Sequence, residues 1–160
     1  MLTEYLKEFG MYSEFDENIL NTLELIGQGL DRNVYALDSN YCLKFPKDVC
    51  SDGVLQCNME VKLFNQIEKR YKKYLCPIAF DGNGYTITNR AVPLHGENIR
   101  DTIYTVTNSR TIKSLINYLV KEFNMWRVDL EKITSWGVLN GKYVLIDYGR
   151  SIDQFDTVYE

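Results

Sequence analysis

Residues 23–44, LELIGQGLDRNVYALDSNYCLK, decide the fold of this chain. They alternate short β-prone runs with turn residues, and Gly27 and Gly29 lie one residue apart. A dinucleotide-binding fingerprint would need a helix directly after its glycines. Here the chain continues as a strand, turns at residues 38–40 and enters another strand that carries Lys44. The pattern therefore predicts three strands joined by a glycine-rich hairpin and a three-residue turn.

A glycine-rich hairpin followed by a strand lysine suits the binding of phosphate groups. Backbone N–H groups can approach a phosphate closely where no Cβ obstructs them. The lysine ammonium then supplies a point charge to the phosphate oxygens. Each of these features is common by itself, so the prediction depends on their order along the chain.

A helical pattern follows the third strand and carries Glu60 on its apolar side. Apolar residues recur there at spacings of three or four, namely Val54, Cys57, Val61, Phe64, Ile67, Tyr71 and Tyr74. A carboxylate on an apolar stripe is costly unless it is paired. The alternative is a solvated glutamate at the edge of the stripe. Cys76-Pro77 is expected to end the helix.

Three further elements are predicted in the second half of the chain. A hairpin turns across DGNG at residues 81–84, and the most regular helical pattern runs from Ile112 to Trp126, with Asn108 or Ser109 as its cap. Asn140-Gly141 separates WGVL from YVLI, which is a strong signal for a two-residue hairpin. Asp147 therefore follows a buried strand.

GQGLDRNVYAL, YCLKF, QCNME and VLIDYG occur in that order. Together they resemble the protein-kinase-like fold, and more closely the small kinase-like proteins encoded in bacteriophage genomes. The resemblance spans roughly residues 22–150. It implies an α+β fold with an antiparallel-sheet N-lobe that contains one long helix, at residues 22–92, and a truncated, mostly helical C-lobe at residues 93–160. A helical appendage is expected at residues 1–21.

The same resemblance implies an ATP and Mg²⁺ site. The residues implied in nucleotide binding are Gly27, Gly29, Arg32, Val34, Lys44, Asn89, Arg90 and Ala91. The last three would offer backbone groups to the adenine edge as the linker between lobes, which is placed at residues 89–92. Lys44 is implied as the ion-pair partner of Glu60, which would hold its ammonium toward the phosphates. Asp129 would accept the proton of the attacking hydroxyl. Asp147 would hold Mg²⁺, with Ser135 as a second ligand.

Three departures from the family pattern bear on activity. The asparagine expected as second metal ligand is Thr134, or Ser135 when the alignment is made on the following Trp-Gly. Arg32 stands in place of the hairpin's third glycine, where it would either contact phosphate or block it. Only 11 residues follow Gly149, which predicts no platform for a peptide substrate. A substrate would then be small, or a partner would bind another face.

Three hypotheses for function follow. The first is an ATP- and Mg²⁺-dependent phosphotransferase acting on an unknown substrate. The second is a catalytically inactive pseudokinase that serves as a binding module for a host or phage protein. The third is an α+β domain whose kinase resemblance is accidental, in which case Lys44 and Glu60 need not approach each other.

Composition limits the class of protein. The 160 residues and the 45% hydrophobic fraction are sufficient for a buried core and exclude a disordered chain. A net charge of −4 argues against a non-specific nucleic-acid binder. The four cysteines show no C-x-x-C pair, which favours reduced thiols in a cytosolic protein. With no long apolar stretch and no basic leader, the expectation is a soluble, cytoplasmic protein, in the host cytoplasm if it is phage-encoded, without a membrane partner.

Overall fold

The computed structural model describes residues 17–48, 52–94 and 108–153. The chain divides into two compact units. The first is formed by the chain up to Val61 together with Pro77–Arg90, and the second by Lys62–Cys76 together with the chain from Ala91 onward. Most of the predicted appendage at residues 1–21 lies outside the described residues.

The first unit contains a five-stranded antiparallel sheet in the order β1-β2-β3-β5-β4, preceded by a short helix, α1 (Glu17–Thr22). Its strands are β1 (Glu24–Gln28), β2 (Arg32–Ala36), β3 (Tyr41–Pro46), β4 (Ile78–Asp81) and β5 (Thr86–Asn89). The three strands predicted between residues 23 and 46 and the hairpin across residues 81–84 are confirmed.

Aspartates close two of the turns in this sheet. Asp38 Oδ1 accepts the backbone N–H groups of Asn40 and Tyr41 at 2.7 and 2.8 Å. Asp81 Oδ1 accepts the N–H of Asn83 at 2.9 Å, and Asn83 has a positive φ of 54°. These local bonds compete with strand ladders and favour a change of chain direction.

One face of the sheet packs into an apolar core. Its buried residues are Leu37, Leu43, Phe45 and Ile87, and Ile19, Leu20 and Leu23 pack against them. Because side chains alternate along a strand, Cys42 and Lys44 of β3 lie on the opposite face. The end of α1 thus packs on the first sheet.

Helix α2 (Asp52–Gln66) follows β3 in the sequence. Its buried face differs from the predicted stripe: Leu63 is fully buried, whereas Val61 and Phe64 are half-buried. Glu60 is 0% exposed and lies at the centre of the buried face. The alternative of a solvated Glu60 is therefore wrong.

The prediction of one helix as far as Tyr74 is also wrong. Helix α2 ends at Gln66, Glu68 adopts an extended conformation (φ −55°, ψ 136°), and a separate short helix, α3 (Lys69–Lys72), follows. Ile67 and Tyr71 are buried on either side of the break. The apolar period therefore continues through the interruption, which is why the sequence pattern does not reveal it.

The second unit contains two further helices, a 3₁₀ turn and a three-stranded sheet. Its elements are α4 (Arg110–Phe123), α5 (Arg127–Glu131), the 3₁₀ turn (Ile133–Ser135), β6 (Val92–Pro93), β7 (Trp136–Leu139) and β8 (Lys142–Leu145). The sheet order is β6-β7-β8. Strand β6 lies where the sequence analysis placed the end of a linker, and its Val92 pairs with Val138.

The predicted helix and hairpin of this unit are confirmed in type and place. Helix α4 ends earlier than expected, at Phe123, because Asn124 adopts a left-handed conformation (φ 51°). Ser109 precedes the helix but makes no side-chain capping bond. Asn140 and Gly141 have φ values of 51° and 74°, as a tight two-residue hairpin requires.

None of the helices in the described parts of the chain has both the length and the apolar character needed to cross a bilayer.

Candidate functional site

The glycine hairpin and Lys44 lie on one face of the first sheet. Gly27 is directly opposite Val34, and Val34 is directly opposite Lys44, so the three side-chain positions share a face. The Gly29 N–H donates to the Arg32 carbonyl at 2.8 Å and closes the turn. Neither glycine has a positive φ. Gly27 therefore leaves the face beside Val34 and Lys44 without a side chain, and at Gly29 a Cβ would lie 3.3 Å from the Arg32 carbonyl oxygen.

Lys44 and Glu60 form the predicted ion pair. Lys44 Nζ lies 2.9 Å from both carboxylate oxygens of Glu60. The lysine is 7% exposed and the glutamate 0%. Both oxygens hold the ammonium, so its position on β3 is fixed. The two residues therefore do approach each other, which the hypothesis of an accidental resemblance did not require.

Arg32 is a second cation on the same carboxylate, and the sequence analysis did not predict this contact. Its Nη2 donates to Glu60 Oε1 at 3.0 Å, and its Nη1 lies 3.7 Å from Cys57 Sγ. Cys57 and Glu60 are three residues apart in α2, so both face β2. That spacing was the available signal, but the sequence analysis assigned Arg32 to the phosphates and did not connect it with α2.

The two cations determine the ionisation of Glu60. Desolvation by burial pushes the pKa of this carboxyl upward, but the charges of Arg32 and Lys44 outweigh it and hold the pKa below its ordinary value. Burial raises the pKa of the Cys42 and Cys57 thiols, which are free. The site therefore holds an ionised carboxylate next to protonated thiols.

The residues predicted to contact adenine lie at and after the end of β5. The Asn89 N–H donates to the Pro77 carbonyl at 3.0 Å, and the Arg90 N–H donates to the Asn40 carbonyl at 2.7 Å. The Arg90 side chain donates from Nη1 to the Asp38 carbonyl at 2.9 Å. Both N–H groups are thus already used within the first unit.

Ser135 is at the centre of the predicted site residues of the second unit. Its hydroxyl donates to the Asp129 carbonyl at 2.6 Å. Its own carbonyl accepts the N–H groups of Ile146 and Asp147 at 2.7 and 3.3 Å. The β7–β8 hairpin thereby brings together Asp129, Ser135 and Asp147, which are up to eighteen residues apart in sequence. The sequence analysis predicted the hairpin at Asn140-Gly141 on which this arrangement depends.

The carboxylate of Asp129 interacts with two cations. Lys132 Nζ contacts Oδ1, and Arg150 Nη1 lies 3.8 Å from Oδ2. Asp129 Oδ2 is buried and accepts no hydrogen bond within the described part of the chain. One oxygen thus faces a cation without receiving a hydrogen bond. Neither Lys132 nor Arg150 was singled out from the sequence.

Asp147 suits the coordination of a divalent cation. Its side chain is exposed, and Mg²⁺ typically takes one or two protein carboxylates and completes its shell with water and phosphate oxygens. The Ser135 hydroxyl donates its proton to the Asp129 carbonyl, so the lone pairs of its oxygen remain available as a ligand. Across residues 17–48, 52–94 and 108–153, no group of three or more His, Cys, Asp or Glu side chains lies close enough together to hold a metal ion.

No protein-family model and no curated protein matches this chain. Among solved structures, aminoglycoside 2'-phosphotransferase-IIIa in complex with GDP matches with a TM-score of 0.39 and 13% identity over 87% of this chain and 46% of the other. APH(2")-IIia in complex with GDP and kanamycin matches with a TM-score of 0.38 and 13% identity, over 81% of this chain and 43% of the other. SAICAR synthase from Saccharomyces cerevisiae in complex with SAICAR matches with a TM-score of 0.30 and 12% identity, over 61% of this chain and 45% of the other. The chain spans less than half the length of each of these structures.

Proposed function

We propose that this chain is a nucleotide-binding protein of the kinase-like kind, in which Lys44 binds the phosphates. The observation that supports this most directly is the Lys44 ammonium, held at 2.9 Å by both oxygens of a fully buried glutamate. It lies on the face that Gly27 and Val34 share. A fixed positive charge beside an uncovered hairpin backbone suits a phosphate group.

Gly27, Gly29 and Val34 are proposed to cover the nucleotide, and Asn89, Arg90 and Ala91 to contact the adenine. Because the N–H groups of Asn89 and Arg90 are used in the first unit, the N–H donor to the adenine edge falls to Ala91. Specificity for adenine over guanine then depends on backbone groups at these three residues.

We extend the proposal to a phosphotransferase that uses Mg²⁺. Asp147 would hold the ion, with Ser135 as a second ligand, and bound Mg²⁺ would neutralise charge on the phosphate groups. Asp129 would accept the proton of the attacking hydroxyl on Oδ2, the oxygen that receives no hydrogen bond within the described residues. Lys132 on Oδ1 would keep that carboxylate oriented.

The second candidate is a catalytically inactive binding module for a host or phage protein. The observation that favours it is the pairing of Asp129 with both Lys132 and Arg150. Lys132 and Arg150 engage this carboxylate within the protein, so a substrate hydroxyl would have to compete with them for it. Under this alternative the protein transfers no phosphate, whether or not it still binds a nucleotide.

Equilibrium titration with a fluorescent ATP analogue, with and without Mg²⁺, tests the nucleotide site. Lys44→Met is expected to weaken binding at least about tenfold, as the loss of a charge-assisted contact predicts. Asp147→Asn is expected to remove the Mg²⁺ dependence and to retain metal-free binding. Unchanged affinity in Lys44→Met would contradict the phosphate role, and persistent Mg²⁺ dependence in Asp147→Asn would contradict the metal assignment.

Release of ADP from ATP separates the two candidates. If the protein is an enzyme, wild-type protein turns over ATP slowly with water as acceptor, and Asp129→Asn abolishes the turnover while ATP binding is unchanged. The inactive module instead binds ATP with no turnover in either protein. Turnover that survives in Asp129→Asn would rule out Asp129 as the proton acceptor.

A further inference from the structure

Arg32 begins β2 and points its side chain toward helix α2, so that only 6% of the residue is exposed. It donates to Glu60 Oε1 at 3.0 Å, and the same oxygen accepts from Lys44 at 2.9 Å. The carboxylate that fixes Lys44 is therefore itself fixed by Arg32. Charge-assisted bonds between buried groups are stronger and less screened than bonds at a surface.

Two more contacts join the same end of β2 to helix α2. Gln56 Nε2 donates to Asp31 Oδ2 at 2.7 Å. Gly53 approaches so closely that a Cβ built on it would lie 2.5 Å from the Asp31 carbonyl oxygen and 3.1 Å from Arg32 Cγ. The Asp31 carbonyl also accepts the N–H of Lys47 at 2.9 Å. Residues 31 and 32 are thus attached both to the helix and to the end of β3.

These contacts follow one face of the helix. Gly53, Gln56, Cys57 and Glu60 are spaced by three, one and three residues, and each touches Asp31 or Arg32. The attachment extends over two helical turns. A hairpin attached at a single point could pivot, whereas one attached over two turns moves with the helix.

We propose that Arg32 is a positioning residue that joins the glycine hairpin and the first half of helix α2 into one body. The Lys44–Glu60 pair is then formed before any nucleotide arrives. Arg32 stands where the hairpin's third glycine was expected, and it acts through Glu60. Its consequence for ATP affinity rests on the proposed function, whereas the joining of hairpin and helix does not.

Hydrogen exchange of the nucleotide-free protein tests the joining. Arg32→Gln is expected to raise amide exchange about tenfold or more in residues 27–34 and 52–61 together, with residues 78–89 unchanged, since local opening need not be global. The matched control is Arg70→Gln, which removes an arginine that pairs with Glu68 at 2.7 Å but has a side chain 67% exposed. The control should exchange like wild type.

Faster exchange in only one of the two segments, or in neither, would overturn the proposal. If the Arg32→Gln protein exchanges rapidly everywhere because it does not fold, hydrogen exchange of the Gln56→Ala protein tests the joining instead. That variant loses the Asp31 contact and retains the buried ion pairs. It should raise exchange in the hairpin as well as in the helix, and a change confined to the helix would overturn the proposal.

ATP affinity distinguishes positioning from general stability. Arg32→Gln is expected to weaken ATP binding about tenfold, Arg32→Lys to recover most of it, and Arg32→Gln in a Glu60→Gln background to add little, because both residues act through one contact. Full additivity, or no recovery with lysine, would contradict positioning through Glu60. If wild-type protein does not bind ATP, the proposed function fails, while the exchange experiment still decides the joining.

Discussion

At the scale of single residues, the first unit depends on one carboxylate. Glu60 is fully buried, and it is compatible with the interior because Lys44 and Arg32 both donate to it. A buried ion pair is not in itself strongly stabilising, since desolvation offsets the attraction. Removing one member is nevertheless costly, because the charges that remain are buried without their counter-ion.

Glu60→Gln is expected to destabilise the protein by roughly 3 to 5 kcal/mol, because two buried cations lose their shared carboxylate. Urea unfolding at neutral pH measures this. Glu131→Gln is the matched control, since Glu131 pairs with Arg127 at 3.2 Å but both side chains are 46% exposed. That change should cost less than about 1 kcal/mol. Equal losses in the two variants would contradict the account of Glu60.

Stability should depend on the ionisation of Glu60. Its folded-state pKa is below the ordinary value of 4.5, so the unfolded chain binds the proton more readily. The carboxylate's contribution is complete above pH 4.5 and is lost as the pH falls through the folded-state pKa. The difference in unfolding free energy between wild type and Glu60→Gln should therefore shrink in acid. A difference that stays constant down to about pH 3 would contradict this.

The need for a partner to Glu60 could be predicted from the sequence, because a lone carboxylate in an apolar stripe is costly, and the resemblance to kinase-like proteins named Lys44 as that partner. Arg32 could not be assigned in the same way. Its partner depends on the rotation of helix α2 about its axis, and Leu63, which defines that rotation, was missing from the predicted stripe. The resemblance placed Arg32 at the phosphates instead, although Glu60 was already on the apolar side of the predicted helix.

At the scale of elements, close approach of helix α2 to the β1–β2 hairpin is the distinctive feature of the first unit. Gly53 allows it, because any side chain there would meet the Asp31 carbonyl. The aspartate-closed turn at Asp38 and the hairpin at Asn140-Gly141 are local, and both were predictable from turn chemistry. The break at Glu68 was not, because Ile67 and Tyr71 are buried on both sides of it.

Gly53→Ala is expected to destabilise the protein by about 1 to 3 kcal/mol, because the added methyl overpacks the contact. Helix propensity alone predicts the opposite sign, a gain of up to about 1 kcal/mol. Asn58→Ala, at an exposed position of the same helix, isolates the propensity effect and should be neutral or slightly stabilising. Chemical denaturation compares the three proteins. A stabilised Gly53→Ala protein would show that the helix does not approach the hairpin this closely.

At the scale of the whole molecule, each compact unit assembles its own set of the predicted residues. The first brings Lys44 and Glu60 to the face shared by Gly27 and Val34, and the second joins Asp129 to Asp147 through Ser135. Local strand and turn signals predicted the hairpins of the antiparallel sheet, and the α+β class was implied by the resemblance. Strand β6 was missed because two residues carry no periodicity of their own.

The central claim is that Lys44 binds the phosphates of a nucleotide, and thermal unfolding with ATP and Mg²⁺ tests it most directly. A ligand that binds only the folded state raises the Tm by mass action. We predict a Mg²⁺-dependent rise for wild type and for the exposed-lysine control Lys113→Met, and no rise for Lys44→Met, each relative to its own Tm without ligand. An equal rise in Lys44→Met, or none in wild type at millimolar ATP, would contradict the claim.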